Sequence, residues 1–214
     1  SESNSKKLKL EVKVQDSSAC PRYSGILISE VEIKDSPKWL QNNLQSIGLK
    51  PINNIVDITN YILHSFGQPM HAFDYDKIKS KKIKVQFLKE GTKFSTLDGV
   101  KRELKNEDLM ICDDKTPLCI AGVLGGESSE VKNKTKNIFL ESAYFNPKLV
   151  RKSSQNHQIS TDASFRFERG TDPNITVYSL KIAAKMIKEL SGGKIASKII
   201  DIYPKKIKNT VLQL

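Results

Sequence analysis

From Leu8 to Val14 the chain reads LKLEVKV, with Leu8, Leu10, Val12 and Val14 separated by charged residues. A period of two puts these apolar side chains on one face of an extended segment and predicts a half-exposed strand. YSGILISEVEI predicts a second strand. At DSPKWLQNNLQSIG the period becomes helical. Ser36 can N-cap, Pro37 suits the first helical position, Trp39, Leu40, Leu44 and Ile47 share a face, and Gly48 ends the helix. A second helix is predicted from Asn53 or Asn54 to Phe66, with Gly67 and Pro69 as its stop. The short link LKPIN makes the pair a helical hairpin.

Beyond it, QPMHAFDYDKI reads as an irregular connection carrying His71, and IKVQFL as a strand. Asp98-Gly99, set between β-favouring residues, predicts a hairpin turn. DLMICDD and the near-continuous apolar run PLCIAGVLGG follow, the latter ending in Gly125-Gly126. KNIFLESAYF is a buried strand candidate interrupted by one acid, Glu141. Asn146-Pro147 opens a short helix. Asp172-Pro173 opens a longer one to about Leu190, closed by Gly192-Gly193, and KIASKIIDIYP reads as a last strand. Without regular βαβ alternation, this order predicts an α+β fold with mixed or antiparallel sheets and flanking helices. The expected division is an N-terminal arm and first strand (1–18), one compact domain (19–204) and a C-terminal tail (205–214). The start without Met reads as that of a piece of a longer chain.

Composition narrows the class. An apolar fraction of 38% over 214 residues supports a packed core. No window approaches 18 uncharged apolar residues, so no membrane-spanning helix and no membrane partner is expected. Cys20, Cys112 and Cys119 show no metal-ligand spacing, so no metal site is expected; Cys112 and Cys119, in apolar runs, read as small buried hydrophobes, and a reducing, cytoplasmic setting fits. The net charge of +11 suits a polyanionic partner such as RNA. Against that, nearly all of it is lysine, with arginine only at 22, 102, 151, 166 and 169, and dispersed lysine also serves solubility.

Several positions invite chemistry. GVLGGESS has the glycines of a phosphate loop but not its Lys-Ser/Thr ending; sharp turning or close ligand approach explains Gly125 and Gly126 better. Glu141 is costly to bury unless paired or hydrogen-bonded. It either carries function, lies on the solvent face of an edge strand, or pairs with Arg166 or Arg169. His71 is one of three histidines, with His64 and His157, and a triad assembled in space stays open. In STDASFRFERG, alternation would put Phe165 and Phe167 on one side of a strand and Arg166 and Glu168 on the other.

NNIVDITNYILHSFGQPMHAFD, TLDGV, AGVLGGESSEV, IFLESAYFNP and TDASFRFERGTDP, in this order, closely resemble the β subunit of bacterial phenylalanyl-tRNA synthetase, in its central B3/B4 editing region. The resemblance covers essentially residues 20 to 200. It implies a B3/B4-like fold and hydrolysis of the ester of mischarged Tyr-tRNA(Phe). By position it implies that Glu141 reads the tyrosyl hydroxyl and Gly125 meets the ring end. Thr161 and Ala163 would wall the pocket, and His71 would lie near the scissile ester and terminal adenosine. Lys50, expected with His71 as a catalytic residue that offers positive charge near the ester, stands where the family often has arginine, keeping the charge but not the planar fork. The implied partners are the tRNA(Phe) acceptor end, the mischarged tyrosyl group and the synthetase α subunit, in a tetramer of two α and two β subunits. ATP and Mg²⁺ would serve the parent enzyme and not this region, for which no cofactor is expected. Two other readings stay open: a noncatalytic module bracing α subunit and tRNA, and an RNA-binding domain using the lysine-rich surface.

Overall fold

The computed structural model describes residues 8–207, so residues 1–7 of the predicted segment 1–18 and residues 208–214 of the predicted tail 205–214 lie outside the described residues. Among the described residues the strands are β1 Glu11–Val14, β2 Arg22–Ser29, β3 Met70–Asp74, β4 Lys82–Phe87, β5 Lys93–Ser95, β6 Lys101–Glu103, β7 Leu109–Asp113, β8 Thr116–Ile120, β9 Leu124–Gly125, β10 Ile138–Tyr144, β11 Lys194–Ile195 and β12 Ile200–Ile202. The α-helices among them are α1 Lys38–Ser46, α2 Asn54–Phe66, α3 Pro147–His157, α4 Asp162–Phe167 and α5 Ile175–Ser191. One sheet runs β1-β4-β7-β8-β9, parallel at β1–β4 and antiparallel beyond. A second, antiparallel sheet runs β11-β2-β10-β3, with β12 also on β2. The fold is α+β, as the element order implies.

Strand parity builds the layers. Along β10, Ile138 and Leu140 join the core under α1, α2 and α5, with Leu40, Leu44, Ile58, Ile62, Leu180 and Ile187. Phe139 and Ala143 point the other way, into the core shared with the first sheet, beside Ile83, Met110, Leu118 and Ile120. β2 divides likewise, Ile26 and Ile28 to the helices and Tyr23 and Leu27 to the sheet. With both faces covered, the strand sequences lose polar alternation and become near-continuous apolar runs. Glu141 shares the parity of Phe139 and Ala143. That parity sends a carboxyl into the region between the two sheets.

The helical hairpin forms as its punctuation predicts. The Asn53 side chain accepts from the backbone N–H groups of Ile55 and Val56, and Gly67 closes α2 in the left-handed region at φ 70°. α1 begins one residue later than expected. Pro37 occupies the cap position, and Ser36 instead donates its hydroxyl to buried Asp57 at 2.6 Å, a carboxylate that also accepts from Ile52 N–H at 2.8 Å. Satisfying that buried charge outweighs capping a short surface helix. Of the predicted α1 face, Leu40 and Leu44 are buried, while Trp39 and Ile47 remain exposed.

Three further expectations are corrected. The segment with His71 is strand β3, bonded along β10 from Met70 to Asp74, because a partner strand is available for what reads locally as irregular chain. The final strand is two, β11 and β12, both on β2. The phenylalanine-rich stretch is helix α4, not a strand. Thr161 caps it in a reciprocal capping box with Ser164, so Phe167 turns into the core and Phe165 turns out. There Arg169 lies over the Phe165 ring at 3.6 Å.

Candidate functional site

β10 lies between β2 and β3, which decides the fate of Glu141. Its cross-strand partners are Gly25 on β2 and His71 on β3. It is neither on a solvent face nor paired with Arg166 or Arg169. Only 4% exposed, it accepts a hydrogen bond at Oε2 from the Tyr23 hydroxyl at 2.8 Å. Tyr23, fully buried, reaches it diagonally from beside Gly25, and its ring stacks on Phe139 with centroids 6.5 Å apart. Burial among these rings pushes the Glu141 carboxyl up to about 8, with the Tyr23 bond acting in the opposite direction. Near neutral pH the group is therefore largely a neutral acid.

Glu141 lies in the lining of a cavity of about 280 Å³. This is near the lower end of small-ligand pockets, roughly 300–1,000 Å³. β3 contributes His71, which packs edge-on against Phe73 at 4.5 Å. Burial holds its imidazole down to about 4, so it is neutral at physiological pH. β9 contributes Gly125. A Cβ there would lie 2.7 Å from His71 Cε1 and 3.0 Å from Leu97 Cδ1. The space a side chain would take is filled by the histidine, so glycine is what lets β9 approach β3.

Gly126 is required for a similar reason. Its Cβ would meet the Phe94 ring at 2.6 Å and the Leu118 carbonyl at 2.9 Å. The glycine pair packs the hairpin β5–β6 against β9, through a Thr96–Gly126 bridge and a Leu97 N–H to Gly125 carbonyl bond of 3.0 Å. Those glycines are committed to internal packing rather than to cradling a phosphate.

The opposite wall is the start of α4. Thr161 accepts from Ser164 N–H at 3.0 Å and donates its hydroxyl to the Val123 carbonyl at 2.9 Å, tying α4 to the turn before β9. Ala163 lines the cavity two residues on, with Asp162 between. The structure thus gathers Glu141, His71, Gly125, Thr161 and Ala163 around one space. It does not bring Lys50 there. Lys50 is exposed on the link between α1 and α2 and borders a separate groove with Asp57, Ser36 and Gln41.

The other two histidines serve elsewhere. His157 Nε2 lies 2.6 Å from buried Asp108, which also accepts from the Ser153 hydroxyl at 2.7 Å; histidine and serine both bond the carboxylate rather than each other. His64 Nε2 lies 3.6 Å from Asp162 Oδ2. All three cysteines are buried and free, and desolvation holds the Cys119 thiol, beside the cavity, well above its ordinary range. Among the described residues no cluster of three or more His, Cys, Asp or Glu is placed to hold a metal. None of their helices is long and apolar enough to cross a membrane.

Sequence reasoning missed Tyr23, the partner of the key carboxyl, and Thr59, Asn60 and Leu97 in the lining. Tyr23 had a signal: it shares the parity of Gly25 and Leu27 in a buried strand, where a phenol needs a bonding partner. Thr59 and Asn60 had none, since only the packing of α2 on β3 exposes them to the cavity.

The chain is thus a layered α+β domain enclosing a largely apolar cavity that holds one neutral acid and one neutral imidazole, the geometry of a small-ligand pocket. The B3/4 domain family model matches residues 19–192, and the chain belongs to that family. It is 55% identical over 207 residues to the phenylalanine–tRNA ligase β subunit of Bacteroides fragilis, an alignment covering 97% of this chain and 25% of the relative. The corresponding subunits of Porphyromonas gingivalis and Carboxydothermus hydrogenoformans are 53% and 46% identical, with 96% and 95% of this chain covered and 25% of each relative. The chain therefore spans about a quarter of the length of these relatives. The crystal structure of an N-terminal fragment of the phenylalanyl-tRNA synthetase β subunit from Pyrococcus horikoshii matches with a TM-score of 0.59, covering 97% of this chain and 58% of that one. At 15% identity, that match is a likeness of fold.

Proposed function

We propose that this B3/4 domain is the editing module of a phenylalanyl-tRNA synthetase β subunit and hydrolyses the ester of mischarged Tyr-tRNA(Phe). The observation that carries the reading is Glu141, a buried, hydrogen-bonded carboxyl in the lining of an otherwise largely apolar cavity. Tyrosine and phenylalanine differ by one hydroxyl. A pocket that excludes by shape rejects the added hydroxyl by only about 10²-fold, whereas a site built to bond it rejects the analogue lacking it by about 10⁴–10⁵. A tyrosyl phenol meeting Glu141 exchanges its water for a carboxyl. A phenylalanyl ring leaves that carboxyl unpaired.

The reaction is addition of water to the ester carbonyl, breaking the bond from that carbon to the ribose oxygen, which takes the proton. His71, neutral and on the same wall as Gly125, is suited to orient the water or the terminal ribose; no protein nucleophile is required. Lys50 does not border this cavity, so any role for its charge would be toward the RNA outside it. Partners would be the tRNA(Phe) acceptor end and an α subunit. Phenylalanine activation with ATP and Mg²⁺ would belong to the rest of the enzyme.

The test is titration of the chain with L-tyrosine and L-phenylalanine, followed by amide-resolved NMR. Selective shifts at Gly125, Glu141, Thr161 and Ala163 for tyrosine, lost in Glu141→Ala, are the expected result. Equal response to both amino acids would overturn the reading. The position of Lys50 favours one alternative, a domain that braces tRNA and α subunit without hydrolysing anything; no selective response would fit that reading.

A further inference from the structure

Glu141 can read a hydroxyl only if its own orientation is settled. A glutamate side chain has three rotatable bonds, and in a cavity of about 280 Å³ it can turn away from a ligand or offer either oxygen. In this structure the Tyr23 hydroxyl holds Oε2 at 2.8 Å, while no described residue hydrogen-bonds Oε1. Tyr23 itself is absent from the cavity lining. It is 0% exposed, clamped by Phe139 in a stacked pair and anchored on β2, where its cross-strand partner is Ala143. Its ring therefore cannot swing away, and its hydroxyl has one acceptor.

Resting on the editing reading above, we propose that Tyr23 is the specificity-positioning residue of the site: its hydroxyl locks Glu141 by Oε2 and leaves Oε1 to meet the hydroxyl of a phenolic amino acid. Since Tyr23 donates to Oε2, that oxygen acts as an acceptor in either protonation state. In the neutral acid the proton then resides on Oε1, which donates to the ligand's phenol oxygen; in the carboxylate, Oε1 accepts the ligand's proton instead. Either way one defined atom faces the ligand. Gly25 makes the arrangement possible. A Cβ there would lie 2.4 Å from the Phe139 ring, displacing the aromatic that clamps Tyr23.

The direct probe is Tyr23→Phe, which removes one oxygen and keeps the ring. The ratio of L-tyrosine to L-phenylalanine affinity should fall about tenfold, through weaker tyrosine binding, as for a lost bond to a carboxyl. Glu141 labelled at its carboxyl carbon should titrate at higher pH in the variant, because a donor to the charged form has gone. A residue that merely fills space would leave that titration unmoved. If Tyr23→Phe does not fold, 3-fluorotyrosine at position 23 keeps the shape, strengthens the donor and should move the titration down. An unchanged affinity ratio and unchanged Glu141 titration overturn the inference. Selectivity lost in Glu141→Ala but kept in Tyr23→Phe overturns it while leaving the editing reading intact. Selectivity indifferent to Glu141→Ala overturns both.

Discussion

Glu141 and His71 sit opposite each other across two strands and titrate abnormally in opposite senses. Burial raises Glu141 from its ordinary 4.5 to about 8 and lowers His71 from 6.5 to about 4. The folded chain thus binds the Glu141 proton more tightly than the unfolded chain. That contribution is full below about pH 4.5 and is lost as pH rises to about 8. His71 has the reverse sign, contributing fully above about 6.5 and losing its share as pH falls toward 4. Their slopes oppose between about 4.5 and 6.5, and Glu141 acts alone above. Urea unfolding should show stability falling by about 1–2 kcal/mol from pH 6.5 to 8, and that fall should disappear in Glu141→Gln. At Gly125, any Cβ must push His71 or Leu97 aside. Gly125→Ala should cost about 1–3 kcal/mol in thermal or urea unfolding and shift the His71 ring resonances, with tyrosine binding weakened in the same titration.

Among the elements, α4 shows how a short segment can mislead. FRFE alternates like a strand, yet Thr161 and Ser164 close a capping box that starts a helix at Asp162. Capping wins because it satisfies otherwise orphaned N–H groups at once, whereas a lone strand would still need a partner. The same hydroxyl of Thr161 ties the helix to Val123, so it positions the Ala163 wall. Thr161→Ala should lose about 0.5–2 kcal/mol and increase amide exchange throughout α4 and at Val123. Thr161→Ser, which keeps both bonds, should restore protection. β3 offers the converse lesson. MHAFD has weak strand character alone and becomes a strand because β10 presents a full row of backbone partners.

The whole molecule separates two kinds of interaction. Inside, the cavity groups that matter most are neutral near pH 7; outside, the chain carries a net +11. On the proposed reading, binding of a tRNA acceptor stem should weaken steeply between about 50 and 200 mM salt, through counterion release. L-Tyrosine binding should barely respond, because exclusion of water and one hydrogen bond carry it. Measuring both by titration at the two salt concentrations separates RNA contact from pocket recognition. A steep salt dependence of tyrosine binding would place the amino acid at the charged surface and not in the cavity.

Local physics made much of this chain legible in advance. A period-two run marked β1, apolar strand-like runs marked β4 and β10, Asn53 and Gly67 bounded α2, Asp98-Gly99 marked the hairpin, and Glu141 stood out because a carboxyl in an apolar run must find a partner. Motif resemblance named the cavity residues, since side-chain identity and order survive in the linear text. Tertiary structure alone decided what those residues meet. That Tyr23 is the partner of Glu141, that His71 fills the space Gly125 vacates, and that Lys50 faces another groove all depend on which strands pair and in what register. Residues 118 positions apart, as Tyr23 and Glu141 are, share no local signal. Only the register of β2 on β10 brings them within a hydrogen bond.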